Sequence, residues 1–144
     1  MEERPVLYEE RDSLGIITIN RPERLNTLND AVIQGIADGI DAAAASAEVS
    51  AIILSGAGRT FTAGYDLNPG ERRTPWARRY GAKEVAPRPG AWDPVRDYQF
   101  MGHNMKRFMT LWECPKPVIA QMHGYALGGG TDLFGRGLEP LVRC

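Results

Sequence analysis

Residues 115–133 read PKPVIAQMHGYALGGGTDL. The run Val118–Met122 has the length and apolar character of a strand buried in a parallel sheet. Pro115 and Pro117 separate it from whatever precedes it, and it passes into Gly124 and the triplet Gly128, Gly129, Gly130. A second stretch of the same design lies upstream. The apolar run Val49–Leu54 reads as another strand buried on both faces and enters the glycine loop GAGRTFTAGYD, residues 56–66. Both loops follow strands and lead toward helices. In open α/β sheets ligands gather at the carboxyl ends of strands, and backbone N–H groups there attract negative charge. Two such loops facing each other supply two N–H donors to one oxygen, the arrangement that stabilises an oxyanion. On pattern alone, glycines that merely permit tight turns explain the loops about as well.

Outward from these loops, Val6–Glu10 and Leu14–Asn20 read as short strands joined by a tight turn at Arg11-Asp12-Ser13, and Arg21-Pro22 ends the second. Asn29 is placed to cap a helix carrying Val32, Ile33, Ile36 and Ile40 at helical spacing. Val95–Trp112 repeats that spacing, with Tyr98, Met101, Met105, Phe108, Met109 and Trp112 as one stripe, read as core or as the wall of a ligand pocket. Between the strand Val49–Leu54 and this helix, residues 68–94 hold six Arg or Lys and five of the ten prolines. A segment so long without periodicity is expected to be a mobile excursion.

Composition narrows the function classes. Seventeen basic residues balance eighteen acidic ones for a net charge of −1, which gives no basic footprint for nucleic acid. No eighteen-residue apolar run predicts a membrane span, and MEERPVLYEER at the N-terminus lacks the apolar region of a signal peptide. Cys114 and Cys144 form no CxxC motif, which favours a reducing cytoplasm, and His103 and His123 are too few for a histidine zinc site, so no metal is expected. GAGRTF begins like G-x-G-x-x-G but places Phe61 at the last glycine, and no G-x-x-x-x-G-K-[ST] loop exists, which argues against nucleotide cofactors.

Three segments together carry a resemblance. GRTFTAGYDL (58–67), PKPVIAQMHGYALGGGTDL (115–133) and NRPERLNTLN (20–29) resemble, in the correct order, three motifs of the crotonase (enoyl-CoA hydratase/isomerase) family. The resemblance covers residues 6–133. It implies an α/β fold, the crotonase-like β-β-α spiral superhelix, incomplete in this chain. It implies acyl-CoA or enoyl-CoA as substrate, coenzyme A entering as part of that substrate and not as a cofactor, and assembly as a homotrimer or a pair of trimers. By motif position the oxyanion donors are the amides of Tyr65 and Gly129. Coenzyme A contacts map onto Arg24 and Leu25, and onto Ala63, Asp66 and Leu67. Asp132 stands where hydratases of the family carry a glutamate, one methylene longer, and is the candidate acid–base group. His123 is expected to be structural. Arg72, Arg73, Arg78 and Arg79 either meet coenzyme A phosphates or solvate a loop.

After Leu133 the chain reads FGRGLEPLVRC and the resemblance ends, so residues 1–133 are expected to form the N-terminal part of a crotonase-like domain and 134–144 a divergent tail. A second catalytic carboxylate of such hydratases has no counterpart in these residues. The expected function is acyl-CoA binding with enolate stabilisation, with poor turnover by these 144 residues. The alternative is a non-catalytic remnant that binds coenzyme A or assembles with other subunits.

Overall fold

The structure is a computed structural model that describes residues 4–67, 94–134 and 139–142, with backbone alone at 95–97, 99, 100, 132–134 and 139–142. Five strands form one mixed sheet in the order β1-β2-β3-β4-β5: β1 (Val6–Arg11), β2 (Leu14–Ile19), β3 (Ala51–Gly56), β4 (Val118–Met122) and β5 (Glu139–Val142). β1 and β2 are an antiparallel hairpin, and every later pairing is parallel. Asp12 and Ser13 turn the hairpin with φ of 53° and 62°, the left-handed pair that matches the twist of two adjoining strands. Tyr8 on β1 donates to Glu10 Oε1 at 2.8 Å; partial burial first, and then that bond, raise its pKa to about 12.

Two helices are the crossovers of the parallel part. α1 (Asp30–Ala45) joins β2 to β3, and α2 (Pro94–Glu113) precedes β4. Asn29 caps α1 as its position implies, accepting from the Val32 N–H at 2.9 Å. The buried face of α1 (Val32, Ile33, Ile36, Ile40) meets Ile17, Ile19, Ile52, Leu54, Val118 and Ala120 from one face of the sheet in a single core. Close helix–sheet approach relies on small residues, since a Cβ on Gly39 would lie 3.1 Å from Ile17. Arg107 of α2 pairs with Asp30 at the first turn of α1. Lys116, just after α2, donates to the carbonyls of Ala43 (2.7 Å) and Ser46 at the far end of α1, satisfying groups that a helix terminus leaves open. The two helices therefore run in the same direction.

The structure corrects two readings and adds an element. β3 is fully buried on one face only: Ile52 and Leu54 are buried, whereas Ala51, Ile53 and Ser55 are half-buried. Among the described residues the helices cover one face of the sheet, and a hydrogen bond between Thr18 Oγ1 and Ser55 Oγ (3.2 Å) lies on the other. The apolar stripe of α2 is split. Asn104, Phe108 and Leu111, at i, i+4 and i+7, make its buried face, while Tyr98 (81% exposed), Met101 and Trp112 (59%) are turned to solvent. The tail also contains a strand, β5, that periodicity did not reveal. It is an edge strand, the position in which Pro140 is tolerated. The mobile excursion expected over 68–94, with Arg72, Arg73, Arg78 and Arg79, lies outside the described residues except for Pro94, which opens α2.

Candidate functional site

β2, β3 and β4 are parallel, so the segments that follow them emerge at one edge of the sheet. These segments, 20–29, 57–67 and 123–130, contain the three motifs. They are joined as an irregular second layer of extended backbone. Thr62 pairs with Ala126 and Leu28 with Tyr65, each as an isolated parallel bridge. Phe61 and Thr62 donate to the carbonyls of His123 (2.8 Å) and Tyr125 (3.0 Å), and Leu127 donates back to Thr62 (3.2 Å). On the other side Ala63 donates to Leu25 (3.0 Å), Leu28 to Gly64 (2.8 Å) and Asp66 to Leu28 (3.0 Å). The middle loop is thus stitched to both neighbours.

Asn26 is the centre of the junction. It is fully buried, with φ of 54°, a left-handed conformation that asparagine adopts more readily than most residues. Its Oδ1 accepts from the Arg21 N–H at 2.9 Å, and its Nδ2 donates to the carbonyls of Ala57 (2.8 Å) and Thr60 (2.7 Å). Thr62 Oγ1 donates to the Asn26 carbonyl (2.7 Å) and accepts from the Gly64 N–H (3.1 Å). Beside it, the Asp66 carboxylate accepts from Arg21 Nη1 and from Thr27 Oγ1, both at 3.1 Å, with the Arg21 and Asp66 side chains 11% and 7% exposed. Charge-assisted bonds of this kind are stronger than neutral ones and hold when shielded from water.

Two glycines set the distance between the loops. Gly64 has φ of +95°, and a Cβ there would stand 2.8 Å from the Leu127 carbonyl oxygen. Gly129 opens the short helix α3 (Gly129–Phe134), and a Cβ on it would lie 2.9 Å from the Tyr65 ring and 3.0 Å from Leu28. The motif residues Tyr65 and Gly129 are therefore neighbours. Because Gly64 O and Asp66 N both turn toward Leu28, alternation along extended backbone directs the Tyr65 N–H away from Leu28. Asp132 lies in α3, three positions after Gly129.

The remaining motif residues separate into two sets. Leu25 and Ala63 are brought together by their backbone bond, and Asp66 joins them through Leu28 and Arg21. Arg24, on the exposed surface of a single 3-10 turn (Pro22–Arg24), and Leu67, 72% exposed, lie at the rim. Tyr125 and Leu127 add exposed apolar surface there. His123 is tied to the Gly58 carbonyl through Nε2 at 2.9 Å, a structural contact. Sequence reading missed the roles of Arg21, Asn26, Thr27, Thr60 and Thr62. Their only signal was the density of polar side chains immediately after β2 and β3, where apolar periodicity stops.

A mixed sheet with helical crossovers and two glycine loops apposed at its carboxyl edge defines an α/β protein with a candidate site at the strand ends. The family follows from comparison with known proteins: residues 14–138 match the enoyl-CoA hydratase/isomerase model, and the chain belongs to that family. It is 32% identical over 127 residues to rat mitochondrial Delta(3,5)-Delta(2,4)-dienoyl-CoA isomerase, covering 82% of this chain and 34% of the isomerase. It is 33% identical over 135 residues to the short-chain-enoyl-CoA hydratase of Clostridium acetobutylicum, covering 92% of this chain and 44% of the hydratase. The crystal structure of an enoyl-CoA hydratase from Mycobacterium smegmatis superposes with a TM-score of 0.76 at 29% identity, over 96% of this chain and 46% of that one. That of an enoyl-CoA hydratase from Thermoplasma volcanium gives 0.75 at 26%, over 98% and 49%. The fold is crotonase-like, and the chain spans a third to a half of the length of these relatives. No helix of the described residues is long and apolar enough to cross a membrane.

Proposed function

We propose that this chain binds acyl-CoA thioesters and holds the thioester oxygen between the amides of Tyr65 and Gly129. The observation that supports this most directly is the contact of the two glycine loops, Gly64 against the Leu127 carbonyl and Gly129 against the Tyr65 ring. Preorganised donors of this kind stabilise the charge that develops on a thioester oxygen as the α-carbon loses or gains a proton. Leu25, Ala63 and Leu67 form the backbone path for pantetheine, with Arg24 at the phosphate end. Asp66 holds that path in place through Arg21 and Thr27. Asp132 is the acid–base candidate, and hydration or double-bond isomerisation the reaction. A trimer, or a pair of trimers, and a cytoplasmic location belong to the same proposal. They are supported by motif resemblance and cysteine usage respectively, while the mitochondrial isomerase among the relatives marks the rival compartment.

A second reading is binding without turnover, since Asp132 is the one acid–base candidate that the three motifs offer. Titration of the 144-residue chain with crotonyl-CoA, run beside a hydration assay, separates the two. Binding is expected. Hydration is expected to be slow and to fall by about a hundredfold or more in Asp132→Asn, the usual contribution of a positioned acid or base. Absence of any acyl-CoA binding would overturn the proposal. Hydration indifferent to Asp132→Asn would remove Asp132 from it, and binding with no hydration would establish the second reading.

A further inference from the structure

A peptide unit is planar and trans, so its C=O and its N–H point in opposite directions. Whatever holds the carbonyl therefore aims the N–H. The Tyr65 N–H shares its unit with the Gly64 carbonyl, which accepts from the Leu28 N–H at 2.8 Å. The Leu28 N–H in turn shares its unit with the Thr27 carbonyl, which accepts from Arg21 Nη1 at 3.0 Å. These groups form one continuous file. It starts at the Arg21 guanidinium, passes through the Thr27–Leu28 and Gly64–Tyr65 peptides, and ends on the Tyr65 N–H.

The charged end of the file is shielded from water. The side chains of Arg21 and Asp66 are 11% and 7% exposed. Arg21 Nη1 donates to the Thr27 carbonyl and to the Asp66 carboxylate (3.1 Å), and Thr27 Oγ1 donates to the same carboxylate oxygen at 3.1 Å. Arg21 thus straps the residue before Leu28 to the residue after Tyr65, beside the bridge that those two form. The Gly129 N–H is aimed by neutral groups instead. The carbonyl of its peptide unit, that of Gly128, accepts from the Thr131 N–H (2.8 Å) and hydroxyl (2.6 Å).

Hydrogen bonds in a chain polarise one another, and they are electrostatically stronger where water is excluded. A cation donating to the first carbonyl makes the next N–H a better donor, and the effect passes along the file.

We propose that Arg21 is a positioning residue for the oxyanion donor, aiming the Tyr65 N–H and strengthening it through the two intervening peptides. The inference rests on the reading of Tyr65 as a donor to the thioester oxygen and deepens it. The positive charge that answers the developing enolate oxygen then sits two peptide units behind the donor. Asp66 holds the guanidinium in place and offsets part of its charge.

Infrared difference spectroscopy of the 144-residue chain with butyryl-CoA, isotope-labelled at the thioester carbonyl, tests this. The ligand is saturated and cannot be hydrated, and its carbonyl stretch falls as the oxygen accepts stronger hydrogen bonds. Binding to the unsubstituted chain is expected to lower the stretch. Arg21→Gln is expected to lose about 10–30% of that downshift, the strengthening that one bond in a chain lends the next. Arg21→Lys keeps the charge and is expected to lose less. Asp66→Asn removes the opposing charge and is expected to deepen the downshift, and its sign decides the matter if Arg21→Gln does not fold. Loosened loops, by contrast, would weaken the downshift in every variant. A downshift untouched by Arg21→Gln, an equal loss in Arg21→Lys, or a loss in Asp66→Asn overturns this proposal alone. Bound ligand with no downshift in the unsubstituted chain removes the Tyr65 reading and this proposal with it, as does a chain that binds no butyryl-CoA.

Discussion

Asn26→Ala is expected to destabilise the chain by about 3–5 kcal/mol, the sum of several buried groups left unsatisfied. The substitution strands the Arg21 N–H and the carbonyls of Ala57 and Thr60, which Asn26 joins at 2.7–2.9 Å in a fully buried position. Alanine would also have to adopt φ of 54°, a conformation that disfavours a β-carbon without asparagine's local polar compensation. Asn26→Asp is expected to be no better, because it turns an acceptor toward the two carbonyls. Since whole domains are stable by only about 5–15 kcal/mol, much of the population is expected to unfold. Urea denaturation followed by circular dichroism measures the change. A loss below about 1 kcal/mol would mean that water replaces the side chain and that Asn26 is not the centre of the junction.

Gly64→Ala is the second large effect, with an expected loss of about 3 kcal/mol, strain in the left-handed region together with a steric clash. The new methyl would stand 2.8 Å from the Leu127 carbonyl oxygen, a backbone atom that cannot rotate away, and φ of +95° suits no alanine. The loops must separate, and the Leu28 N–H, which donates to the Gly64 carbonyl, is expected to exchange with solvent faster. Gly102→Ala supplies the contrast. Gly102 lies in α2, where an added methyl would meet nothing within 4 Å, so alanine there is expected to stabilise by up to about 1 kcal/mol through helix propensity. Thermal unfolding of the two variants should move in opposite directions. A neutral Gly64→Ala would show that the loops do not need their close approach.

Much of this fold was legible because its signals are local. Asn29 before Val32, Ile33, Ile36 and Ile40 announces both a cap and a buried face, and the structure has both. The runs around Ile52 and Ile119 become parallel neighbours in register. The three motifs meet because each follows a parallel strand. What stayed hidden depends on partners far away in sequence. Nothing near Asn26 reveals that its amide reaches Thr60, nor does Asp66 reveal its pairing with Arg21. In α2, hydrophobic character pointed to Tyr98 and Trp112 as well as Phe108, yet the rotation of the helix against α1 buries Asn104 beside Phe108 and leaves Tyr98 and Trp112 exposed. β5 escaped because four residues that include a proline have too little periodicity to read.

The register of the sheet has a kinetic side. The hairpin pairs neighbours such as Arg11 with Leu14, and α1 closes on it within the first third of the chain, whereas β3 meets β4 only by joining Ile52 to Val118. The first event closes a loop of a few residues; the second draws together ends separated by nearly half the polypeptide. Folding is thus expected to be ordered, with the hairpin and α1 in place before the central pairing, whose entropic cost is met late. That cost grows only logarithmically with length, so each halving of a flexible connection saves about 0.6 kcal/mol. Shortening the stretch between Leu67 and Pro94 should consequently speed refolding by no more than about threefold for a halved closure loop. Stopped-flow refolding of such a deletion would read this directly, and a change beyond about tenfold would place the rate-limiting step elsewhere in the chain.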